Sequence, residues 1–383
     1  MQLTSILLLP PRAAIVECRL TNVRANSPSP PPIRPVIAES ARRTQVLPSQ
    51  MRVCRNRSRV VDSHPVSSPA SARQPIHADL SVRVGALLLS NPVIAASGTF
   101  GYGLEFAHLV DLNSLGGIVV KGLSLEPMEG APPPRLCETS GGLLNAIGLQ
   151  NVGVRAFVAE KLPKLRAYKT AIIANVFGRT VAEYCEVIRI LEDAEGLAAY
   201  ELNISCPNVD HGGSEFGSDP ALAAEVIAAA RESCRRPLWV KLTPSAQAIS
   251  VAKVAEQCGA DALTAANTYP AMSLDPRTGV SRLGRLSGGL SGPAIKPLTL
   301  KLVYDLTRAV RLPIVGLGGI QTAADALEYF AAGATAIQVG TAHFADPRSS
   351  ITVLKGIVEF LYENKLRRIS DLAELNRGNF TQS

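Results

Sequence analysis

Eight short apolar segments recur between residues 92 and 341, and each ends in polar residues or glycine. They are Pro92–Gly98, Gly117–Gly122, Ala171–Phe177, Tyr200–Cys206, Leu238–Thr243, Ala262–Thr268, Pro313–Gly319 and Ala336–Thr341. Helical patterns lie between most of them, namely Val181–Glu192, Pro220–Cys234 with Asp219 as N-cap, Ala248–Cys258, Lys296–Val310 and Thr322–Ala332. Apolar strands that alternate with helices form parallel sheets covered by those helices. Eight such units predict an α/β fold, a (β/α)8 TIM barrel.

An open, doubly wound sheet is the alternative architecture for this pattern. Its dinucleotide-binding fingerprint needs three spaced glycines between a strand and a helix. In Gly101–Gly103 the third glycine is replaced by Phe106, and in Gly316–Gly318 it is replaced by Gln321. The missing fingerprint favours the closed barrel.

Three regions differ in composition. Residues 1–77 are rich in Pro, Ser and Arg and cannot bury enough apolar surface to fold, so we predict a disordered extension. The extension resembles a transit peptide in its arginines, although its prolines would interrupt an amphipathic helix. Residues 78–370 form the predicted barrel, which begins with an N-terminal hairpin around Gly85, and residues 371–383 form a C-terminal tail.

The net charge of the chain is concentrated in the extension. Residues 1–77 contain eleven Arg and only Glu17, Glu39 and Asp62 as acids, a net charge of +8, and the whole chain carries +7. The rest of the chain therefore carries −1. Because nucleic-acid binding needs a basic surface, we expect no nucleic-acid partner for the barrel.

Two further protein classes are disfavoured. No uncharged apolar stretch reaches the 18 or so residues of a membrane span, so we expect none. The seven cysteines show no CxxC pair and no His/Cys metal spacing. That excludes a metal centre, an iron–sulfur cluster and a disulfide framework in this chain, and it fits a reducing, cytoplasmic location.

Polar groups follow the predicted strands at their carboxyl ends, where TIM barrels carry their active sites. They include two lysines, three asparagines and one cysteine, and the full set is Ser97, Lys121, Asn175, Asn203, Cys206, Lys241, Asn267 and Thr268. Ordinary turn residues would not supply so many functional groups, so we predict one common active site. Gly318–Gly319 and Gly340–Thr341 end the last two strands, where backbone N–H groups commonly bind a phosphate.

Cys206 ends a strand immediately before Pro207, between the amides of Asn203 and Asn208. A thiol in this setting suits a general base or a nucleophile, and the glycine-rich residues 212–217 could close over it. The alternative is a buried structural cysteine. Lys241, inside the rim, needs an anionic neighbour, which a reduced flavin would supply. Two chemistries remain open: a phosphosugar enzyme that forms an imine on Lys121 or Lys241, and a flavin enzyme with a cysteine base.

Three segments resemble class 1 dihydroorotate dehydrogenases. Residues 201–208, followed by Gly212-Gly213 and Phe216-Gly217, resemble that family's active-site loop, and residues 145–151 resemble its substrate-binding segment. Residues 288–297 resemble the form typical of the B type, the catalytic subunit of the NAD-linked enzyme. The resemblance covers about residues 78–365. The sequence departs from the family at Met128, where a basic residue is typical, and at Val152, where proline is typical.

The resemblance implies a barrel that holds FMN, with Cys206 as the catalytic base. It implies substrate binding by Lys121, Asn145, Ala146, Ile147, Gly148, Leu149, Asn203, Asn267 and Thr268. It implies FMN binding by Ser97, Lys121, Gly122, Asn175, Asn203, Lys241, Ala266, Gly292, Gly318, Gly319, Gly340 and Thr341.

The implied reaction is the oxidation of (S)-dihydroorotate to orotate in de novo pyrimidine (UMP) biosynthesis, with hydride transfer to FMN. The family implies a homodimer within a heterotetramer, in which a separate subunit carries FAD and a [2Fe–2S] cluster and passes electrons to NAD+. The alternatives are a flavin barrel that reduces uracil-type rings, a flavin-free phosphosugar lyase or synthase, and a barrel kept as a binding scaffold.

Overall fold

The structure is a computed structural model that describes residues 78–204 and 213–372. The predictions for the extension (residues 1–77), for Cys206 and its neighbours up to Gly212, and for the tail beyond residue 372 lie outside the described residues.

Fourteen strands occur in the described ranges. In chain order they are β1 (Val82–Val84), β2 (Leu87–Leu89), β3 (Val93–Ala95), β4 (Gly117–Val119), β5 (Leu136–Thr139), β6 (Gly142–Asn145), β7 (Ala171–Val176), β8 (Ala199–Asn203), β9 (Leu238–Lys241), β10 (Ala262–Ala265), β11 (Tyr269–Ala271), β12 (Gly288–Ser291), β13 (Ile314–Leu317) and β14 (Ala336–Val339). Eight of them form a closed barrel in the order β3, β4, β7, β8, β9, β10, β13, β14. All eight neighbouring pairs are parallel. The predicted barrel is confirmed, and seven of its strands lie within the predicted segments, while β8 starts one residue early, at Ala199.

The helices, in chain order, are α1 (Val154–Ala156), α2 (Leu162–Leu165), α3 (Val181–Glu192), α4 (Gly213–Ser218), α5 (Pro220–Ser233), α6 (Ala248–Gln257), α7 (Lys296–Ala309), α8 (Ala323–Ala331), α9 (Ala342–Ala345) and α10 (Ser349–Glu363). Short 3₁₀ turns lie at Leu104–Phe106, Leu112–Ser114 and Pro293–Ile295, and a π-helical turn at Phe157–Lys161 joins α1 to α2. The predicted N-cap is observed: the Asp219 carboxylate accepts from the backbone N–H groups of Ala221 and Leu222, which satisfies two otherwise unpaired donors of α5.

The N-terminal hairpin closes the amino-terminal end of the barrel. Gly85 turns between β1 and β2 with a φ of 61°, a conformation that glycine adopts without steric cost. Val84 and Leu89 of the hairpin are buried against Trp239 inside the barrel. The open end of the barrel is therefore the opposite one, at the carboxyl ends of the strands.

The barrel interior changes from apolar to polar along the strands. Side chains two residues apart on a strand lie on the same face. The apolar floor includes Ile173, Ala199, Trp239, Ala262 and Ala336. Two residues further along the same strands stand Asn175, Glu201, Lys241, Thr264 and Gln338, all buried; we call these five residues the polar layer.

A four-stranded antiparallel sheet stands beside the open end, in the order β11, β12, β6, β5. The sequence analysis did not predict it. The sheet joins the connection between β4 and β7 to the connection between β10 and β13, since β6 pairs with β12 and Asn145 lies opposite Gly289. This pairing brings residues 143–149 next to the carboxyl ends of the barrel strands.

Membrane-spanning helices and metal-binding clusters are both absent from the described ranges. Within residues 78–204 and 213–372, no helix has both the length and the apolar character that crossing a membrane requires. The same residues contain no group of three or more His, Cys, Asp or Glu side chains placed to hold a metal ion.

Candidate active site

A cavity opens at the carboxyl ends of the barrel strands, bordered on one side by β6 and β12. Its empty volume is about 1220 Å³, a figure that includes the solvent space of the open mouth. Most of the predicted site residues line it: Ser97, Lys121, Gly122, Asn145, Ile147, Gly148, Leu149, Asn175, Asn203, Lys241, Ala266, Asn267, Thr268, Gly292, Gly318, Gly319, Gly340 and Thr341.

Two predicted site residues are not among them. Cys206 lies outside the described residues, so its orientation toward the cavity stays a prediction. Ala146 is fully buried and packs with Leu144 and Leu283 in the small core of the antiparallel sheet. The two neighbours of Ala146 in the chain line the cavity, whereas its own side chain contributes to packing.

Glu201 is the centre of the polar layer and is fully buried. Its Oε1 accepts a hydrogen bond from Asn175 Nδ2 at 2.8 Å. Its Oε2 accepts from Thr264 Oγ1 at 2.8 Å and from Gln338 Nε2 at 2.7 Å. The sequence analysis did not select Glu201, although its position two residues before Asn203 on β8 puts the two side chains on one face.

Lys241 has a protein counter-charge. Its Nζ lies 3.8 Å from Glu201 Oε1, and its side chain is only 7% exposed. The expectation that a reduced flavin would supply the anionic neighbour of Lys241 is therefore corrected. A buried ammonium needs compensation whether or not a ligand is present, and β8 provides it from within the fold.

One polar atom at the base of the cavity has no partner within the described part of the chain. Asn175 is 1% exposed and donates through Nδ2, which leaves its Oδ1 buried without a hydrogen bond. The atom lies beside Gly122, where an added Cβ would come within 3.0 Å of it. Because an unsatisfied buried acceptor is unfavourable, it indicates a ligand with an N–H group at this wall.

Lys121 follows β4 and lines the cavity. Burial lowers the pKa of its ammonium group, the charge of Arg135 lowers it further, and Glu105 opposes both effects. No hydrogen bond or ion pair links its Nζ to another residue in the described ranges. Lys121 therefore presents a cation to the cavity, where an anionic ligand would pair with it.

Amide side chains from two parts of the chain line the cavity and hydrogen-bond to nearby backbone. Asn145 Nδ2 donates to Gly289 O at 3.0 Å across the antiparallel sheet. Asn267 Oδ1 accepts from the backbone N–H of Thr268 at 2.8 Å, and Leu149 adopts a φ of 57°. Asn145, Asn267 and the backbone of residues 147–149 all line the cavity together with Lys121.

The two departures from the family pattern are both accommodated. The backbone of Met128 pairs with that of Asn151 in both directions at 3.0 Å, which does not depend on the side chain at position 128. The backbone N–H of Val152 donates to Tyr102 Oη at 3.2 Å. A proline at 152 would lack that donor, so valine adds a contact that the typical residue could not make.

Four glycines line the cavity directly after β12, β13 and β14. They are Gly292, Gly318, Gly319 and Gly340, and we call them the glycine cradle. Gly319 has a φ of 69°, and a Cβ added to it would stand 2.8 Å from Gly292 O and from Lys296 Cβ. Tyr329 Oη donates to Gly318 O at 2.7 Å, and Thr341 Oγ1 donates to Ser291 Oγ at 2.7 Å. The backbone is thereby fixed close to the space of the cavity, which suits N–H binding of a phosphate.

Known proteins resemble this chain over most of its length. Residues 79–361 match the family described as "Dihydroorotate dehydrogenase". A protein of Solibacter usitatus named "Putative dihydroorotate dehydrogenase A (fumarate)" is 55% identical over 294 residues, 76% of this chain and 97% of the relative.

Other relatives carry a different subtype name. Proteins of Thermodesulfovibrio yellowstonii and Geotalea uraniireducens, both named "Dihydroorotate dehydrogenase B (NAD(+)), catalytic subunit", are 49% and 50% identical over 76% and 77% of this chain and 97% of each relative. The crystal structure of DHODH from Eimeria tenella in complex with ferulenol superimposes with a TM-score of 0.67, covering 80% of this chain and 90% of that chain. At 21% identity, this likeness concerns the fold alone.

Proposed function

We infer that this chain, which belongs to the dihydroorotate dehydrogenase family, is an FMN-dependent oxidoreductase that converts (S)-dihydroorotate to orotate in pyrimidine biosynthesis. The resemblance of residues 288–297 to the B type agrees with the subtype named in the Thermodesulfovibrio and Geotalea relatives. The observation that carries the proposal is one cavity that combines the glycine cradle, the cation of Lys121 and an Asn175 Oδ1 that has no hydrogen-bond partner among the described residues.

The residues of the cavity fit FMN. The glycine cradle offers backbone N–H groups to a phosphate, Asn175 Oδ1 offers an acceptor to a ring N–H, and the Lys241 ammonium offers a positive charge beside a ring that gains electrons. Ser97, Gly122, Asn203, Ala266 and Thr341 would complete the contacts. When bound, FMN supplies the hydride acceptor of the reaction.

Lys121 would hold the substrate carboxylate through a charge-assisted hydrogen bond. Asn145, Asn203, Asn267 and Thr268 would bind the amide groups of the substrate ring, with the backbone of residues 147–149 alongside. These contacts would keep the planar substrate at one position against the flavin and exclude water from it. The Cys206 thiolate would then remove the proton from substrate C5, because a thiol ionises closer to neutral pH than a hydroxyl group does.

The electron acceptor is a separate part of the proposal. The B-type relatives are named NAD(+) enzymes and catalytic subunits, so we propose a partner subunit with FAD and a [2Fe–2S] cluster, bound to a homodimer of this chain. The Solibacter relative is named for fumarate instead. Orotate formation by the purified chain, assayed with fumarate and separately with NAD+, distinguishes the two: we expect neither acceptor to support turnover until the partner subunit is added with NAD+. Turnover of the chain alone with fumarate would overturn the B-type assignment.

The substrate is tested with an artificial dye as electron acceptor. We expect dihydroorotate to be oxidised and 5,6-dihydrouracil, which lacks the carboxylate for Lys121, to be a far poorer substrate. Equal rates with both compounds would favour an enzyme of uracil-type rings. Absence of bound flavin, together with failure to take up FMN, would favour the phosphosugar class.

Replacing Lys121 by methionine should lower kcat/KM for dihydroorotate by roughly 10- to 150-fold, the effect of one lost hydrogen bond to a charged group, about 1.5–3 kcal/mol. The native enzyme should also lose kcat/KM at alkaline pH, because the lowered pKa of Lys121 removes its charge earlier than in an ordinary lysine. This alkaline limb should be absent from the variant. Exposed Lys169 gives the control, and equal behaviour of K121M and K169M would exclude Lys121 from binding the carboxylate.

Replacing Gly319 by alanine should weaken FMN binding by at least about tenfold but change riboflavin binding little, because riboflavin lacks the phosphate. Gly279 also has a φ of 69°, yet a Cβ there meets nothing within 4 Å. G279A therefore carries the same backbone cost of about 1–2 kcal/mol without the contact at the cradle. Titration of flavin fluorescence with both ligands checks the result, and equal loss of FMN and riboflavin in G319A would contradict a phosphate at this position.

A further inference from the structure

The groups around Glu201 are placed to donate to its carboxylate. Amide nitrogens can only donate, and those of Asn175 and Gln338 point at Oε1 and Oε2 respectively. Thr264 Oγ1 also lies within hydrogen-bond distance of Oε2, and the Lys241 ammonium lies near Oε1. Donors therefore face both carboxylate oxygens of Glu201, and the Lys241 ammonium adds a positive charge beside Oε1.

The same contacts set the direction of the Asn175 amide. Because an ionised carboxylate only accepts, the Nδ2 group must face Glu201 and the Oδ1 atom must face away from it. Oδ1 is then the buried atom without a partner beside Gly122. The contact with Glu201 thus orients the Asn175 amide so that an acceptor atom, not a donor, faces the cavity.

Glu201 also compensates the charge of Lys241. On β9, Lys241 stands between β8, which carries Glu201, and β10, where the paired residue Thr264 does not titrate. Among the described residues, Lys121 is the other cation that lines the cavity, and its charge would repel that of Lys241. Glu201 is the anionic partner that the described part of the chain offers Lys241.

We propose that Glu201 is a positioning residue that keeps Lys241 charged and Asn175 turned to accept, so that both groups are ready for the ring system bound in the cavity. The inference rests on the proposed function, because the ring system it invokes is that of FMN. Glu201 itself touches neither the substrate nor the cofactor, and it acts through its two neighbours.

The test is FMN binding by the apoprotein of the Glu201→Gln variant, titrated by flavin fluorescence between pH 7 and pH 9. This window lies above the second ionisation of a phosphate ester, near pH 6. Without its counter-charge, a buried ammonium loses its proton at a lower pH. Relative to the wild type, we expect the affinity of E201Q to fall at least about tenfold further at pH 9 than at pH 7, since one pH unit changes a titrating charge by up to tenfold.

The matched control is Glu192→Gln. Glu192 is also a mostly buried carboxylate, with its side chain 10% exposed, and it pairs with Arg235 and Arg236 at 3.4 Å, away from the cavity. E192Q should keep the wild-type pH profile. A second experiment tests the effect of Glu201 on Asn175. N175A should weaken FMN binding strongly in the wild-type background. In E201Q, where the Asn175 amide is already free to turn, the same substitution should weaken binding by less than about threefold. A wild-type pH profile in E201Q together with additive effects of N175A and E201Q would overturn the inference.

If the E201Q variant does not fold, a second variant tests the coupling between Glu201 and Lys241. The double variant E201Q/K241M removes both charges of the pair, which proteins tolerate far better than loss of one. A folded double variant would support coupling through Lys241, and an unfolded one would contradict it. A wild-type protein that binds no FMN would overturn the proposed function, whereas unchanged FMN binding in E201Q would overturn this inference alone.

Discussion

Cys206→Ala should lower the turnover of dihydroorotate by roughly 10²–10⁴-fold, the usual contribution of a positioned general base, while the protein keeps its bound FMN. The physical reason is that proton removal from substrate C5 needs a base, and the sequence offers a thiol at Cys206, three residues after the end of β8. Steady-state orotate formation and the flavin spectrum of the purified variant measure the two parts of the prediction.

The control for Cys206 is Cys258→Ala. Cys258 is a free, partly buried cysteine whose Sγ lies 3.7 Å from Ala224 O on the outer helices, so its loss should leave turnover unchanged. Cys206→Ser should retain a remnant of activity that rises with pH, because a hydroxyl is a weaker acid than a thiol. Wild-type turnover in C206A would remove Cys206 from the role of base.

Lys241→Met should both weaken FMN binding and destabilise the apoprotein. The substitution leaves the buried Glu201 carboxylate without its counter-charge, and loss of one partner of a buried pair typically costs about 3–5 kcal/mol. Because the pair is separated by 3.8 Å and Glu201 keeps three hydrogen bonds, we expect the lower end of that range. Thermal unfolding of the apoprotein should then show a midpoint lower by roughly 6–12 °C.

Lys301→Met is the matched control for Lys241. Lys301 and Asp305 form a much closer pair, at 2.7 Å, but the lysine side chain is 68% exposed. Exposed pairs contribute about 0–1 kcal/mol, so K301M should move the midpoint by no more than about 4 °C. Equal shifts of the unfolding midpoint in the two variants would show that burial does not increase the contribution of the Glu201–Lys241 pair to stability.

The barrel could be predicted from the sequence because its strands are buried on both faces. Such strands are continuous apolar runs, and Ile172–Ala174 or Leu238–Val240, each almost fully buried, stand out from the helical patterns around them. The antiparallel sheet was missed for the opposite reason. β12 is Gly288–Ser291 and pairs with β6 about 144 residues away, so neither its composition nor its local pattern indicates a strand.

The site was predictable where polar residues stand at or next to the end of a strand, and it was missed at Glu201, which lies two residues before the end of β8. Asn175, Asn203 and Lys241 were found because polar groups at strand ends converge in a barrel. Glu201 lies inside a strand with apolar neighbours, and the predicted counter-charge of Lys241 was therefore a ligand. The period of two along β8 relates Ala199, Glu201 and Asn203, and that signal could have identified the carboxylate. Ala146 was predicted to line the site, but its side chain packs in the core of the antiparallel sheet while its two chain neighbours line the cavity.

The central claim is that this cavity brings dihydroorotate and FMN together in one reaction. Its most direct test is an anaerobic titration of the FMN-loaded protein with dihydroorotate, followed by visible absorbance and by analysis of the products. We predict loss of the oxidised flavin colour with one orotate formed per FMN reduced, without any partner subunit. A flavin spectrum that stays oxidised in the presence of excess dihydroorotate would contradict the account.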